Sequence, residues 1–111
     1  MRSRITGLAF LVAALAAPFA AHAEGDTYVL TIQNHKFSPE EFEVPAGKKF
    51  TLTVKNLDPT PEEFESNDFN REKVVPGGQE IVVYIGPLRP GRYEFFGDFN
   101  PDSARGHIIA K

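Results

Sequence analysis

From Thr27 onward, apolar residues recur at every second position, and no window keeps the three-to-four spacing of a helix. "TYVLTIQ" sets Tyr28, Leu30 and Ile32 against Val29, Thr31 and Gln33, and "FTLTVKN" sets Phe50, Leu52 and Val54 against Thr51, Thr53 and Lys55. A period of two sends one set of side chains to a core and the other toward water, as in a half-buried strand. "EIVVYIG", "GRYEFF" and "GHIIAK" continue the series. Nine prolines and nine glycines fall mostly between these runs, where turns need them. Several short strands with turn signals at this spacing predict an all-β sandwich or barrel.

The first residues do not belong to that pattern. Arg2 and Arg4 precede the apolar run "GLAFLVAALAAPFA", and Ala21-His22-Ala23 follows it. A charged start, a short apolar stretch and an A-x-A site predict a secretory signal peptide over residues 1–23, cleaved before Glu24. The run is short, rich in small residues and contains Pro18, so no membrane insertion is expected after cleavage. Residues 24–111 then form one domain, and the expected location is the periplasm.

Loss of Arg2 and Arg4 takes the formal charge from −3 to −5. An acidic surface argues against nucleic acid as a partner and suits cations or a basic protein. Cysteine is absent, so thiolate chemistry is excluded and the fold rests on its core alone. Eight phenylalanines after the signal segment make such a core feasible. No nucleophile–base set, phosphate loop or zinc spacing is present, so no catalytic residue is assigned and hydrolysis has no support.

Strand directions locate one end of the domain. If the Pro45-Ala46-Gly47 turn marks the bottom, strand 50–55 climbs and delivers "NLDPTPEEFESNDFN" to the top. "NHKFSP" also begins at the top. If "GPLRPG" is a second bottom turn, strand 92–96 delivers "GDFNPDSARG" there too. His35, Glu62, Glu63, Asp98, Asn100 and Asp102 are thereby expected at one pole. Imidazole with carboxylates makes a plausible mixed site for a transition-metal ion, iron or copper. In that reading His35 supplies nitrogen, Glu62 or Glu63 supplies oxygen with Asp98, and Asn100 lies beside them. Glu62 and Glu63 are adjacent and point to opposite faces of an extended backbone, so only one aims inward. Glu65 and Asp68 extend the acidic rim, and Phe42 and Phe64 pack beneath. The alternation of Asp98, Asn100 and Asp102 lacks the glycine and bidentate glutamate of a calcium loop, and turn formation accounts for it. His107 is expected at the surface, opposite Ile108 and Ala110.

"HKFSPEEFEVPAGKKFTLTVKNLD", "TPEEF" and "GRYEFFGDFNPDSARG" together resemble the cupredoxins, over nearly all of the chain after the signal segment. The resemblance implies a Greek-key β-sandwich. It places Glu62 where the family carries its first histidine ligand and Gly97 where it carries cysteine. Asn100 falls at the second histidine and Ala104 or Arg105 at the methionine. None of the blue-copper ligands is kept, and without the thiolate such a centre cannot form. "DPTPEEFES" and "GPLRPGRYEFFGDFNPDSA" further resemble periplasmic cupredoxin-like proteins that accompany bacterial high-affinity iron uptake systems. In those proteins the last loop often reads "FHP" where this chain has Phe99-Asn100-Pro101. The resemblance implies a role in iron or metal uptake, with periplasmic or membrane components of such a system as partners. Two other roles stay open: a metal-free adaptor docking to an envelope transport partner, and ferrous oxidation, which no sequence feature requires.

Overall fold

The computed structural model describes residues 26–111, and the signal segment expected over residues 1–23 lies outside them. Nine strands follow in order: β1 Thr27–Gln33, β2 Lys36–Ser38, β3 Glu41–Val44, β4 Phe50–Asn56, β5 Glu62–Ser66, β6 Arg71–Val75, β7 Glu80–Ile85, β8 Gly91–Gly97 and β9 Arg105–Ala110. They form two sheets, β2-β1-β4-β7 and β3-β9-β8-β5-β6, packed as a sandwich. No helix long and apolar enough to cross a membrane occurs among the described residues.

The period-two runs supply the core. Tyr28, Leu30 and Ile32 of β1, Phe50, Leu52 and Val54 of β4, and Ile108 and Ala110 of β9 are all buried. Phe37, Phe64 and Phe95 meet at the centre with ring centroids 5.1 to 6.1 Å apart. Such contacts each add about 0.5–1.5 kcal/mol beyond the area they bury.

Each bottom turn carries the chain from one sheet to the other. β3 pairs in parallel with β9, whereas β4 pairs with β1 and β7. The segment Pro45-Ala46-Gly47 is therefore a crossover, and "GPLRPG" is another between β7 and β8. The two turns touch at the same end, Gly47 N–H donating to Leu88 O at 2.8 Å.

"NLDPTPEEFESNDFN" holds more structure than a loop. It contains β5, and the next residues form β6, the margin strand of the larger sheet. β5 presents Glu62, Phe64 and Ser66 to the interior and Glu63 and Glu65 outward. Ser66 is satisfied by donating to Glu94 O at 2.6 Å and accepting from Phe69 N–H at 3.2 Å. The free margins β6 and β7 are tied by side chains. Arg71 Nε donates to Tyr84 O at 2.8 Å and Lys73 Nζ to Val82 O at 3.2 Å.

Candidate functional site

The upper pole is built from the β1–β2 turn, the β4–β5 connection and the β8–β9 loop. Asn34 and His35 form the two-residue turn, and both adopt positive φ, 56° and 57°. That backbone matches the twist of a tight hairpin and costs non-glycine residues about 1–2 kcal/mol each. Asp58 offsets it by accepting both turn amides, Asn34 N–H at 2.7 Å and His35 N–H at 3.0 Å. The imidazole Nδ1 of His35 lies 3.7 Å from the same carboxylate. Ser103 Oγ donates to His35 O at 2.6 Å, joining the turn to the β8–β9 loop. The His35 amide, the Asn34 amide and the ring hold the Asp58 carboxyl below its usual 3.8, against a smaller opposing effect of burial.

Asn56 positions Asp58. Its buried amide donates to Thr60 O and Val75 O, and its Oδ1 accepts Asp58 N–H at 3.0 Å. The β4–β5 connection is thereby pinned between the sheets before it reaches Glu62.

Glu62 is only 1% exposed. Its Oε1 accepts Glu63 N–H at 2.9 Å and Phe99 N–H at 2.8 Å, and its Oε2 accepts the Asn100 amide at 2.8 Å. Three donors converge on the two carboxyl oxygens. A carboxylate buried without them would cost several kcal/mol. Asn100 also organises the loop through its backbone, its carbonyl accepting Ser103 N–H and Ala104 N–H.

The blue-copper positions thus converge, but they do not fit a copper ion. A Cβ on Gly97 would lie 2.5 Å from Glu62 Cδ and 2.8 Å from Ala104 Cβ. Glu62 fills the space a cysteine side chain would need. Ala104 is buried at the methionine's place, while Arg105 points outward to Glu94 Oε2 at 2.9 Å. Among the described residues, the nearest atoms to a Cβ at Gly97 belong to Glu62 and Ala104, and the Glu62 oxygens already accept the chain's own donors.

Glu63 faces the other way, into an acidic cluster. Ligand oxygens of Glu63, Glu65 and Glu72 lie within 4.8 Å of one another, and His35 is not part of that group. Glu65 and Glu72 are direct cross-strand partners, an unfavourable pairing of like charges. Partial burial, a hydrogen bond and the charge of Glu72, then Glu65 and Asp98 push the Glu63 carboxyl up to about 7. Burial, Glu72 and Asp98 raise Glu65 as well. Asp98 sits beside this cluster, its N–H donating to Glu63 O at 2.9 Å.

The five residues expected at one site have different partners: His35 is paired with Asp58, Glu62 with Asn100, and Glu63 lies beside Asp98. Asp68 does not join the acidic cluster; its Oδ2 accepts Glu94 N–H at 2.8 Å. His107 is half-buried and accepts a hydrogen bond from Arg92 at 3.2 Å through Nδ1. Asp58 and Glu72 went unassigned from sequence. The cross-strand partner of Glu65 becomes visible only if "REKVV" is paired back onto "EEFES" across the Asn67–Asn70 turn.

Residues 6–110 match the family model of the cupredoxin-like domain. An uncharacterized protein of Rickettsia prowazekii (strain Madrid E) is 50% identical over 80 residues, 72% of this chain. The chain spans 64% of that relative's length. Amicyanin from Paracoccus versutus superposes with a TM-score of 0.62 at 21% identity, over 82% of this chain and 87% of that one. Auracyanin A, a blue copper protein from Chloroflexus aurantiacus, gives 0.66 at 12% identity over 77% and 98%. A purple cupredoxin from Nitrosopumilus maritimus gives 0.59 at 22% over 75% and 98%. At these identities the structural likeness is one of fold.

Proposed function

Because the chain belongs to the cupredoxin-like domain family, we propose that it handles a transition-metal ion without a blue-copper centre, as an envelope protein of metal uptake. The ion is cargo, held at the outer acidic face. Of iron and copper, iron suits these donors better, since oxygen ligands favour harder ions than thiolate does. The observation that carries this reading is the convergence of Glu63, Glu65 and Glu72 within 4.8 Å, with Asp98 adding to their field. Glu63 titrates near 7, so a cation arriving there displaces a proton, and loading strengthens as pH rises through that value. Glu62, Asn100, Asp58 and His35 fix the loops behind the face.

Titration of the purified protein with Fe(II), Mn(II) and Cu(II), repeated for Glu63→Gln with Glu72→Gln, tests the reading. The expected result is a loss of roughly tenfold or more in Fe(II) affinity in the double variant. Affinities no tighter than about millimolar, unchanged by the double substitution, would overturn it.

One observation favours a second reading, the metal-free adaptor. At the position the resemblance gives to copper, Glu62 already accepts from three of the chain's own donors, an arrangement that supports a pole held without an ion. Leu57 and Phe99, 55% and 49% exposed, would then give an envelope transport partner its apolar contact. Millimolar, substitution-insensitive affinities in the same titration would favour this reading.

A further inference from the structure

Where β6 meets β7, the start of β4 and the end of β7 border a cleft of about 450 Å³, and Arg71, the residue before Glu72, reaches it from β6. Its volume falls within the range of small-molecule sites. Phe50 and Ile85, both buried, form an apolar floor, and Tyr84 stands at the rim with 68% of its surface exposed. Gly86 sets the back wall. A Cβ there would lie 3.0 Å from Lys48 O, and its φ of 94° suits glycine, so the chain leaving β7 runs close against the residues that lead into β4.

Two cations also line this space, Lys49 and Arg71. Ion pairs among the described residues use His35, Lys48, Arg92, Arg105 and Lys111. Lys49 and Arg71 therefore reach the cleft without a carboxylate partner among those residues. The one acid lining it, Asp26, is engaged by Lys48 at 3.5 Å. Arg71 is also held in place. Its Nε donates to Tyr84 O and its Nη1 to Asn70 O, which leaves Nη2 for a ligand. A guanidinium already fixed in position loses little freedom on binding an oxyanion. On a chain of net negative charge, two unneutralised cations over an apolar floor select one ligand chemistry.

We propose that this cleft is a binding site for a small amphipathic carboxylate, with its ring or branched body on Phe50, Ile85 and Tyr84 and its oxygens toward Arg71 and Lys49. The proposal is independent of the acidic face and of metal.

The probes are 1-naphthoate and its uncharged analogue 1-naphthalenemethanol, titrated into the purified protein and followed by amide NMR shifts. Naphthoate is expected to give saturable, one-site shifts confined to the cleft, at residues 26, 49–51, 71 and 84–86. The alcohol should bind roughly tenfold more weakly, the loss expected for a charge-assisted contact. Lys49→Gln and Arg71→Gln should each weaken naphthoate several-fold and leave the alcohol unchanged. Arg71→Gln also removes a tie between the sheet margins, so Lys49→Gln, whose side chain makes no ion pair among the described residues, carries the test alone. Shifts that do not saturate or that spread over the chain would overturn the site. Equal binding of acid and alcohol, or naphthoate binding that Lys49→Gln leaves unchanged, would do the same.

Discussion

The carboxyl carbon of Glu62 lies 2.5 Å from the point where a Cβ on Gly97 would stand. The two positions cannot both carry side chains. Gly97→Ala should destabilise the fold by about 1–3 kcal/mol, the usual cost of overpacking a filled interior. Combining it with Glu62→Gly should cost less than the sum of the two single changes, since neighbours that share one space are coupled. Urea unfolding of the two single variants and the double variant measures this, and strict additivity would refute the shared volume.

Glu62→Ala leaves the amides of Glu63 and Phe99 and the side chain of Asn100 without their acceptor and opens a void. A loss of about 2–4 kcal/mol is expected. Asn100→Ala removes one donor and should cost nearer 1 kcal/mol. Denaturant midpoints in the opposite order would show that the loop is held from the Asn100 side.

Two carboxyl groups give the stability profile opposite slopes. Glu63 is raised to about 7, so its contribution is complete below 4.5 and is lost as pH climbs through 7. Asp58 is lowered, so its contribution is present above 3.8 and fades as pH falls through the lower folded value. Thermal melts should therefore show stability declining from about pH 5 to pH 7. In Glu63→Gln that decline should flatten, leaving only the part due to Glu65, while the acid limb due to Asp58 stays.

His35 carries both a side chain and a left-handed backbone, and two substitutions separate them. His35→Gly keeps the φ of 57° and should change stability by less than about 0.5 kcal/mol. His35→Ala retains the strain without the ring and should cost about 1 kcal/mol. If Fe(II) affinity falls equally in both, the imidazole contributes to binding. If it is unchanged in both, His35 serves the turn alone.

Much of the fold was legible because apolar alternation is a local property. Tyr28, Leu30 and Ile32, or Phe50, Leu52 and Val54, announce their buried face without reference to any other strand. β5 was not legible. Its inward face carries Glu62, Phe64 and Ser66, and two of those three are polar groups satisfied by partners 28 to 38 residues away. β6 failed for another reason: it is a margin strand with four of five residues exposed, so it has almost no hydrophobic period to read. The opposite aims of Glu62 and Glu63 did follow from extended geometry. The aim of His35 did not, because it depends on a turn whose amides are anchored by Asp58, 23 residues on.

The ties from Arg71 and Lys73 to the carbonyls of Tyr84 and Val82 have a consequence for how the molecule behaves in a crowd. A sandwich with open flanks offers rows of unused acceptors to any passing strand, including one from another copy. Here two long basic side chains occupy those acceptors and place positive charge along the flank. A second molecule trying to zip onto β7 would first have to strip both away. The chain has no cross-link to fall back on, and it guards its weakest border with the same residues that hold its two layers together.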